Sequence, residues 1–277
     1  MVKGHGTRND FVVLPDYDGA LDLTADLVRR LCDRRAGVGG DGVLRVVRSA
    51  AVPGLGADAA ATEWFMDYRN ADGSVAEMCG NGVRVYARFL VTEGLAAPGP
   101  IRLATRGGVK EVVAPVSGDV TVDMGPAAVG ESQVMVSAGS GEWPALPVDM
   151  GNPHAVAFVD ELTAAGDLRE PPKVTPGEAF PQGVNVEFAV VTGRGELAMR
   201  VHERGVGETQ SCGTGACAVV VAARRRDATA PRVWLVHVPG GEVTVTERED
   251  GHLLLRGPAV LVADVELSAD WLAGRTG

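Results

Sequence analysis

The chain has 277 residues, of which 45% are apolar and 22% charged, a composition typical of a soluble globular protein that excludes a disordered one. Its net charge of −10 argues against a large nucleic-acid-binding surface, because phosphate binding needs a basic patch. The first residues lack an apolar signal-peptide core, and no apolar run near a motif approaches the roughly 20 residues of a membrane span. We therefore expect a cytoplasmic protein with no nucleic-acid or membrane partner.

Strand-like segments dominate, and several alternate apolar and polar residues as half-buried strands do. In chain order they lie at 10–14, 42–47, 63–66, 109–113, 119–124, 155–159, 184–191, 197–203, 232–238, 242–246 and 253–256. Helices are fewer: Thr24 can cap one, and two more are predicted to begin at Gly82 and Gly215. Segments 50–62 and 171–181 are typical of long loops. Short strands with few helices favour an α+β fold over a doubly wound parallel sheet.

A short motif occurs twice in the chain, about half its length apart. Cys79-Gly-Asn-Gly82 matches Cys212-Gly-Thr-Gly215, and each motif follows a turn-forming stretch and precedes an apolar, helix-like one. In a gapless overlay Asn70 aligns with Glu203, each nine residues before the cysteine. The repetition predicts two related halves that face each other.

Each motif places a thiol before a glycine-rich turn that opens a helix. The N-terminus of a helix presents unpaired N–H groups and positive partial charge, which lower a thiol pKa and attract anions. The glycines let a ligand approach the backbone closely. Two such termini would hold a carboxylate between two thiols. That arrangement suits removal of a proton from one face of an α-carbon and its return to the other face.

Other roles of the cysteines are weaker interpretations. Cys212 and Cys217 are five residues apart, but no second pair completes a metal site, so we expect no metal. The redox motif C-x-x-C is absent from the sequence, and a cytosolic chain of this size needs no disulfide. Cys217 lies within an apolar run and Cys32 late in the first predicted helix, so both are expected to pack in the core.

Seven segments, in order along the chain, are similar to those of diaminopimelate epimerases. They are Gly6-Thr-Arg-Asn-Asp-Phe11, Asn70-Ala-Asp-Gly-Ser74, Cys79-Gly-Asn-Gly82, Gly151-Asn-Pro-His154, Val184-Asn-Val186, Glu203-Arg204 and Gly207-Glu-Thr-Gln-Ser-Cys-Gly-Thr-Gly215. The resemblance implies an α+β fold of two pseudosymmetric domains, each a mainly antiparallel, barrel-like sheet around a central helix. The N-terminal domain would comprise residues 1–124, completed by 265–277, and the C-terminal domain residues 125–264. The resemblance also implies a homodimer that needs no cofactor.

The same resemblance implies an isomerase that interconverts LL- and meso-diaminopimelate in the formation of lysine and peptidoglycan precursors. Cys79 and Cys212 would be the two acid–base thiols, with His154 and Glu203 tuning them. The implied substrate-binding residues are Asn9, Asn70, Gly80, Asn81, Asn152, Asn185, Glu203, Arg204, Gly213 and Thr214. Asn70 by itself also suits a turn. Family members commonly carry Gln where this chain has Gly42, so no substrate contact is expected from that side chain.

Two other functions remain open at this point. A proline racemase or hydroxyproline epimerase shares the two-cysteine logic but closes around a small cyclic substrate with one carboxylate. The paired Glu203-Arg204 favours a longer substrate with two charged ends. A thiol- or metal-regulated binding module is the non-enzymatic alternative. A pyridoxal phosphate enzyme is disfavoured, because none of the three lysines lies in a convincing phosphate-binding context.

Overall fold

Strands dominate the computed structural model, which describes residues 1–274. Its strands are β1 (Val2–Gly6), β2 (Asn9–Pro15), β3 (Gly42–Arg48), β4 (Trp64–Asn70), β5 (Gly99–Thr105), β6 (Gly108–Ala114), β7 (Val120–Pro126), β8 (Ala128–Val129), β9 (Val134–Ala138), β10 (Gly141–Asp149), β11 (Pro153–Phe158), β12 (Lys173–Thr175), β13 (Asn185–Gly193), β14 (Glu196–Glu203), β15 (Gly207–Glu208), β16 (Val233–Val238), β17 (Gly241–Glu247), β18 (His252–Gly257) and β19 (Val260–Asp264). The α-helices are α1 (Ala25–Cys32), α2 (Ala57–Ala60), α3 (Gly80–Thr92), α4 (Gly213–Arg226) and α5 (Ala269–Leu272). In the described range no helix is both long and apolar enough to cross a membrane.

The strand pairing repeats along the chain. β2 pairs in parallel with β3, β3 antiparallel with β4, β4 in parallel with β5, and β6 antiparallel with both β5 and β7. β11, β13, β14, β16, β17 and β18 pair in the same order and with the same directions. The helix α3 follows β4 as α4 follows β14. The predicted α+β fold of two pseudosymmetric halves is therefore confirmed.

The two halves exchange their final strands and share one continuous sheet. β7 pairs with β18 and joins the halves. β8, which follows β7, pairs with β10 in the second half, and β19, which follows β18, pairs with β1 in the first. The division at residue 124 stays a prediction. Of the segment 265–277 that was expected to complete the first domain, residues 275–277 lie outside the described residues.

The helices α3 and α4 occupy the centres of the two halves. In α3 every residue from Gly80 to Leu90 is buried, and α4 is buried from Gly213 to Val220. A helix that is enclosed all round needs mostly apolar or small residues on every face. The buried part of α4 supplies them, whereas that of α3 also contains Asn81, Arg84 and Arg88. Both helices lie in one apolar core that spans the two halves. Their first turns are therefore held rigidly from all sides.

Local signals explain most of the remaining elements. The Thr24 hydroxyl accepts a hydrogen bond from the Leu27 N–H and caps α1, as predicted. The segment predicted to be a loop at 50–62 contains α2, and the one at 171–181 contains β12. Both elements are only three or four residues long, too short for a periodic pattern to develop.

Candidate active site

Each of the two repeated cysteines caps a central helix. Cys79 is the N-cap of α3, and its Sγ accepts a hydrogen bond from the Gly82 N–H at 3.5 Å. Cys212 is the N-cap of α4, and its Sγ accepts from the Gly215 N–H at 3.4 Å. Both helices begin two residues earlier than the sequence predicted, so that the thiols lie at the helix ends. The two halves thus present their thiols in the same local geometry.

The N-termini of the two helices meet. A Cβ atom built on Gly213 would lie 3.4 Å from the Gly80 Cα and 3.6 Å from the Asn81 backbone nitrogen. The Asn81 Nδ2 donates to the carbonyl of Ser211 in the other half at 3.0 Å. Since Cys79 and Cys212 directly precede the two glycines, opposite halves bring the two thiols to one place. A side chain at position 213 would also meet Leu255, whose Cδ2 would lie 2.9 Å from the Cβ atom.

On the side of the first half, amide groups surround the thiol. The Cys79 thiol donates to Asn9 Oδ1 at 3.5 Å, and the same oxygen accepts from Asn81 Nδ2 at 3.2 Å. Asn9 Nδ2 in turn donates to the Asp41 carboxylate at 2.8 Å. This carboxylate, which sequence reasoning did not single out, fixes the orientation of the Asn9 amide. The predicted residues Asn9, Cys79 and Asn81 therefore form one connected group.

On the side of the second half, a chain of polar groups leads away from the thiol. Cys212 Sγ lies 3.4 Å from Thr214 Oγ1, which accepts from Asn152 Nδ2 at 3.3 Å. Asn152 Oδ1 lies 3.1 Å from His154 Nε2, and His154 Nδ1 lies 2.6 Å from Glu187 Oε1. His154 thus reaches the thiol only through two intermediate side chains.

Glu203 faces both thiols from the end of β14. Its carboxylate accepts a hydrogen bond from the Thr209 hydroxyl. Burial raises the pKa of Glu203, and the interactions with Thr209 and Cys212 oppose that rise. Its negative charge in turn raises the pKa of both Cys79 and Cys212. The charge of Glu203 therefore acts on both thiols, and its tuning role stays a prediction.

The net direction of the thiol pKa values differs from the expectation. Burial raises the pKa of Cys79 to about 11, although the N–H groups of Gly82 and Asn81 lower it. Burial also raises the pKa of Cys212, and nearby carboxylates add to the rise. The helix N-termini act in the predicted direction, but the loss of solvation outweighs them. The prediction that the helix ends bring these pKa values toward neutrality is wrong for the folded protein.

The remaining predicted residues lie at the periphery of this group. The Arg204 backbone N–H donates to Asn185 Oδ1 at 2.9 Å, and its guanidinium donates to the Gln182 carbonyl at 3.2 Å. Asn70 donates to the Ser74 hydroxyl at 3.0 Å, which is the turn role left open above. Among the described residues, the first two of these hydrogen bonds join the residue after β14 to the start of β13 and the segment before it, and that of Asn70 stays within its turn. Their assignment to substrate binding stays a prediction.

Position 42 has no room for a side chain. A Cβ atom on Gly42 would lie 2.4 Å from the Arg69 carbonyl oxygen and 2.7 Å from the Tyr68 ring. Real Cβ atoms do not approach a backbone oxygen so closely. Glycine therefore lets β3 pair closely with β4 at this point.

Sequence reasoning missed two buried charged residues in the site. Arg84 lies in the middle of α3 and is fully buried, and Glu187 is equally buried in β13. Arg84 donates to Thr7 Oγ1 at 3.2 Å and to the Pro258 carbonyl at 3.3 Å, while its Nη1 has no partner among the described residues. Burial lowers the pKa of Arg84 to about 10. In the sequence, both residues could have been found as charged residues within an otherwise apolar helix or strand.

The sequence is similar to known diaminopimelate epimerases over nearly its whole length. A family model for diaminopimelate epimerase matches residues 1–129 and 146–262. The chain is 58% identical to the diaminopimelate epimerase of Streptomyces coelicolor, with 99% of this chain and 96% of that protein covered. It is 47% identical to that of Mycolicibacterium smegmatis, with 97% of each covered.

Solved structures of more distant proteins share the fold. A hydroxyproline epimerase from Agrobacterium vitis matches with a TM-score of 0.65 and 18% identity, covering 94% of this chain and 88% of that one. A phenazine biosynthesis protein from Bacillus anthracis matches with a TM-score of 0.68 and 14% identity, covering 96% and 98%. At such identities the likeness concerns the fold alone.

Proposed function

The chain belongs to the diaminopimelate epimerase family, and we propose that it interconverts LL- and meso-diaminopimelate by moving a proton between the faces of one α-carbon. The observation that supports this most directly is the meeting of α3 and α4, each capped by a cysteine. Inversion at carbon needs an acid–base group on each face, and two thiols from opposite halves meet that need. Lysine and peptidoglycan precursor formation is the proposed metabolic setting.

The mechanism follows from the positions of the thiols. One cysteine, as thiolate, removes the α-proton while the other, as thiol, delivers a proton to the opposite face, and the roles of Cys79 and Cys212 exchange with direction. The N–H groups at the starts of α3 and α4 bind the α-carboxylate, on which negative charge grows as the proton leaves. Loss of one such donor typically costs about 3–4 kcal/mol of activation free energy. These backbone donors belong to Gly80, Asn81, Gly213 and Thr214.

The distal end of the substrate is assigned to the remaining polar groups. Arg204 can form two parallel hydrogen bonds with the distal carboxylate. Asn185, which holds the Arg204 backbone, and Asn152 supply uncharged donors and acceptors beside it. Asn9 and Asn70 would line the opposite wall, and Glu203 would hold an ammonium group. No cofactor is needed in this scheme, because the thiols perform both proton transfers.

The wider organisation is also proposed. We assign residues 1–124 to the N-terminal unit, and the pairing of β19 with β1 supports starting its C-terminal completion at Val260 rather than at residue 265. A cytoplasmic homodimer is the proposed state of assembly. The outward valines of β19, Val260 and Val262, are 41% and 57% exposed and suit a contact between two copies. Sedimentation equilibrium at micromolar concentration tests this.

The first experiment replaces the thiols one at a time. We expect Cys79→Ala and Cys212→Ala each to lower kcat for diaminopimelate epimerisation by roughly 10²–10⁴-fold, the usual contribution of a general acid or base. Cys217→Ala is the matched control, because its thiol is buried in α4, one turn from the cap. Incorporation of solvent deuterium at the α-carbon is the readout, with circular dichroism to verify folding. Normal turnover by a folded Cys79 or Cys212 variant would exclude the two-thiol mechanism.

The second experiment separates this function from proline or hydroxyproline epimerisation. Arg204→Lys keeps the positive charge but loses the planar fork that matches a carboxylate. We expect kcat/KM for diaminopimelate to fall at least tenfold, with no activity on proline before or after the change. A preference of the unmutated protein for proline would overturn the substrate assignment.

A further inference from the structure

Glu187 is a fully buried carboxylate that the proposed mechanism does not use. It lies in β13 between the apolar residues Val186 and Phe188, and its Oε2 has no partner among the described residues. Its Oε1 contacts His154 Nδ1 at 2.6 Å, and both side chains are inaccessible to solvent. Burying a carboxylate is costly, so a partner of opposite or inducible charge is required.

The fold makes room for this carboxylate beside the cap of α4. A Cβ atom on Gly215 would lie only 2.7 Å from Glu187 Oε1. Gly215 is also the residue whose N–H donates to Cys212 Sγ. The backbone N–H of Gly215 therefore donates to the Cys212 thiol, and the absence of a side chain at Gly215 leaves the space that the Glu187 carboxylate occupies.

The polarity of the intervening hydrogen bonds follows from the donors and acceptors. An ionised Glu187 only accepts, so His154 Nδ1 carries a proton. The Asn152 amide oxygen, 3.1 Å from Nε2, also only accepts, so that contact is a hydrogen bond when Nε2 is protonated as well. In this arrangement the His154 ring donates to Glu187 through Nδ1 and to Asn152 through Nε2.

The donor and acceptor of each remaining hydrogen bond between His154 and Cys212 are then fixed. The Asn152 amide nitrogen donates to Thr214 Oγ1, which leaves the hydroxyl proton of Thr214 free to point at Cys212 Sγ, 3.4 Å away. A donated hydroxyl proton stabilises a thiolate in preference to a thiol. A neutral His154 would instead require the amide to turn round, with the hydroxyl proton directed at Asn152.

We propose that Glu187 is a positioning residue that acts through His154: it holds the imidazolium in place and thereby orients Asn152 and Thr214 to donate to Cys212. The expected effect on kcat rests on the proposed function, whereas the expected protonation of His154 does not. In the first half Cys79 contacts an amide oxygen rather than a hydroxyl, so Glu187 serves one thiol only.

The structural consequence is tested by nitrogen-15 NMR of the histidine side chains. The unmutated protein is expected to show a slowly exchanging Nδ1 proton on His154 with both ring nitrogens protonated, and Glu187→Ala to lose that signal. Assignment uses His154→Gln. The matched control is Glu196→Ala, which removes one of the two carboxylates beside the partly exposed His237, 2.8 Å from its Nε2, and leaves the His154 signal unchanged. A neutral wild-type ring, with its only proton on either nitrogen, would overturn the proposal whether or not the protein is an epimerase.

The kinetic consequence is tested by a double-mutant cycle. Glu187→Ala is expected to lower kcat by about 10- to 100-fold with little change in KM, the range for loss of a hydrogen bond to a charged group. Glu187→Gln keeps an acceptor oxygen and should lose less than tenfold. In a His154→Ala background, Glu187→Ala should have no further effect, because the two residues act in series. An undiminished loss in that background, or full activity of folded Glu187→Ala, would refute the positioning role.

Discussion

The buried guanidinium of Arg84, whose Nη1 has no partner among the described residues, leads to separate predictions for stability and for activity. Burial lowers its pKa from the ordinary value to about 10, because burial disfavours the charged form. A difference of this size corresponds to about 3 kcal/mol. The unfolded chain keeps the ordinary value, so at every pH below about 10 folding bears the whole of this unfavourable contribution. The cost falls away only as the pH rises above 10 toward the ordinary pKa of arginine.

Replacing Arg84 with Met removes the buried charge and keeps much of the side-chain volume. Removing the buried charge should raise the unfolding free energy by about 3 kcal/mol. The loss of the hydrogen bond to the Pro258 carbonyl should lower it by about 1–3 kcal/mol. We therefore expect the unfolding free energy of Arg84→Met to stay within about 2 kcal/mol of the wild-type value. Activity should fall, because the positive charge of Arg84 lowers the pKa of Cys79. A rise of one pKa unit would reduce the thiolate fraction about tenfold.

Arg88, one turn further along α3, is the matched control. It is also buried, but its guanidinium donates to the carbonyls of Pro115, Val116 and Gly118. Arg88→Met leaves these carbonyls unpaired and should destabilise the fold more than Arg84→Met does, with little effect on kcat/KM of the folded fraction. Urea unfolding gives the first comparison and epimerase kinetics the second. The reasoning would be refuted if Arg84→Met were the less stable variant or kept full kcat/KM.

Three further predictions concern the thiols and the acid stability of the fold. Alkylation by iodoacetamide should modify Cys79 before Cys212, since Cys79 is partly exposed and Cys212 is buried. Peptide mapping that shows the reverse order contradicts this. Peroxide should link Cys79 to Cys212 and inactivate the protein reversibly, and a bridge to any other thiol would speak against their proximity. Burial alone would raise the pKa of Asp10, but the hydrogen bonds from Arg34 and Lys3 outweigh burial and hold the pKa well below its usual range. The ionised Asp10 therefore contributes to the free energy of unfolding, by about 2–3 kcal/mol for a salt-bridged aspartate, and this contribution is complete above pH 3.8 and lost as the pH falls further. We expect Asp10→Asn to weaken the dependence of the unfolding free energy on pH in acid, measured by urea unfolding.

The sequence was most informative where a pattern repeats. The recurrence of Cys-Gly-x-Gly predicted two facing halves, and the strand pairing repeats accordingly. Alternating segments such as 197–203 became strands close to their predicted bounds, because alternation reports a half-buried face directly. The strands β5 and β10 were not predicted, since Pro100, Pro144 and Pro147 interrupt their patterns.

Electrostatic properties were least accessible from the sequence. The helix N-terminus is a local feature, so its effect on a neighbouring thiol could be anticipated. The desolvation that reverses the net pKa shift depends on how both halves close over Cys79 and Cys212. Likewise, the partners of Arg84 and Glu187 are distant in sequence, and only the fold shows that one lacks a counter-charge and the other meets His154.

The same contacts make the two halves chemically unequal although their backbones are alike. The cation Arg84 lies on the side of Cys79, whereas Glu187 and Glu203 both raise the pKa of Cys212. On top of the rise that burial gives both thiols, two carboxylates raise the pKa of Cys212 and one raises that of Cys79. An ammonium group held at Glu203 would neutralise a charge that raises the pKa of both thiols. Substrate binding would thus lower the barrier to forming a thiolate at the moment when one is needed, and a buried site could keep unreactive thiols until then.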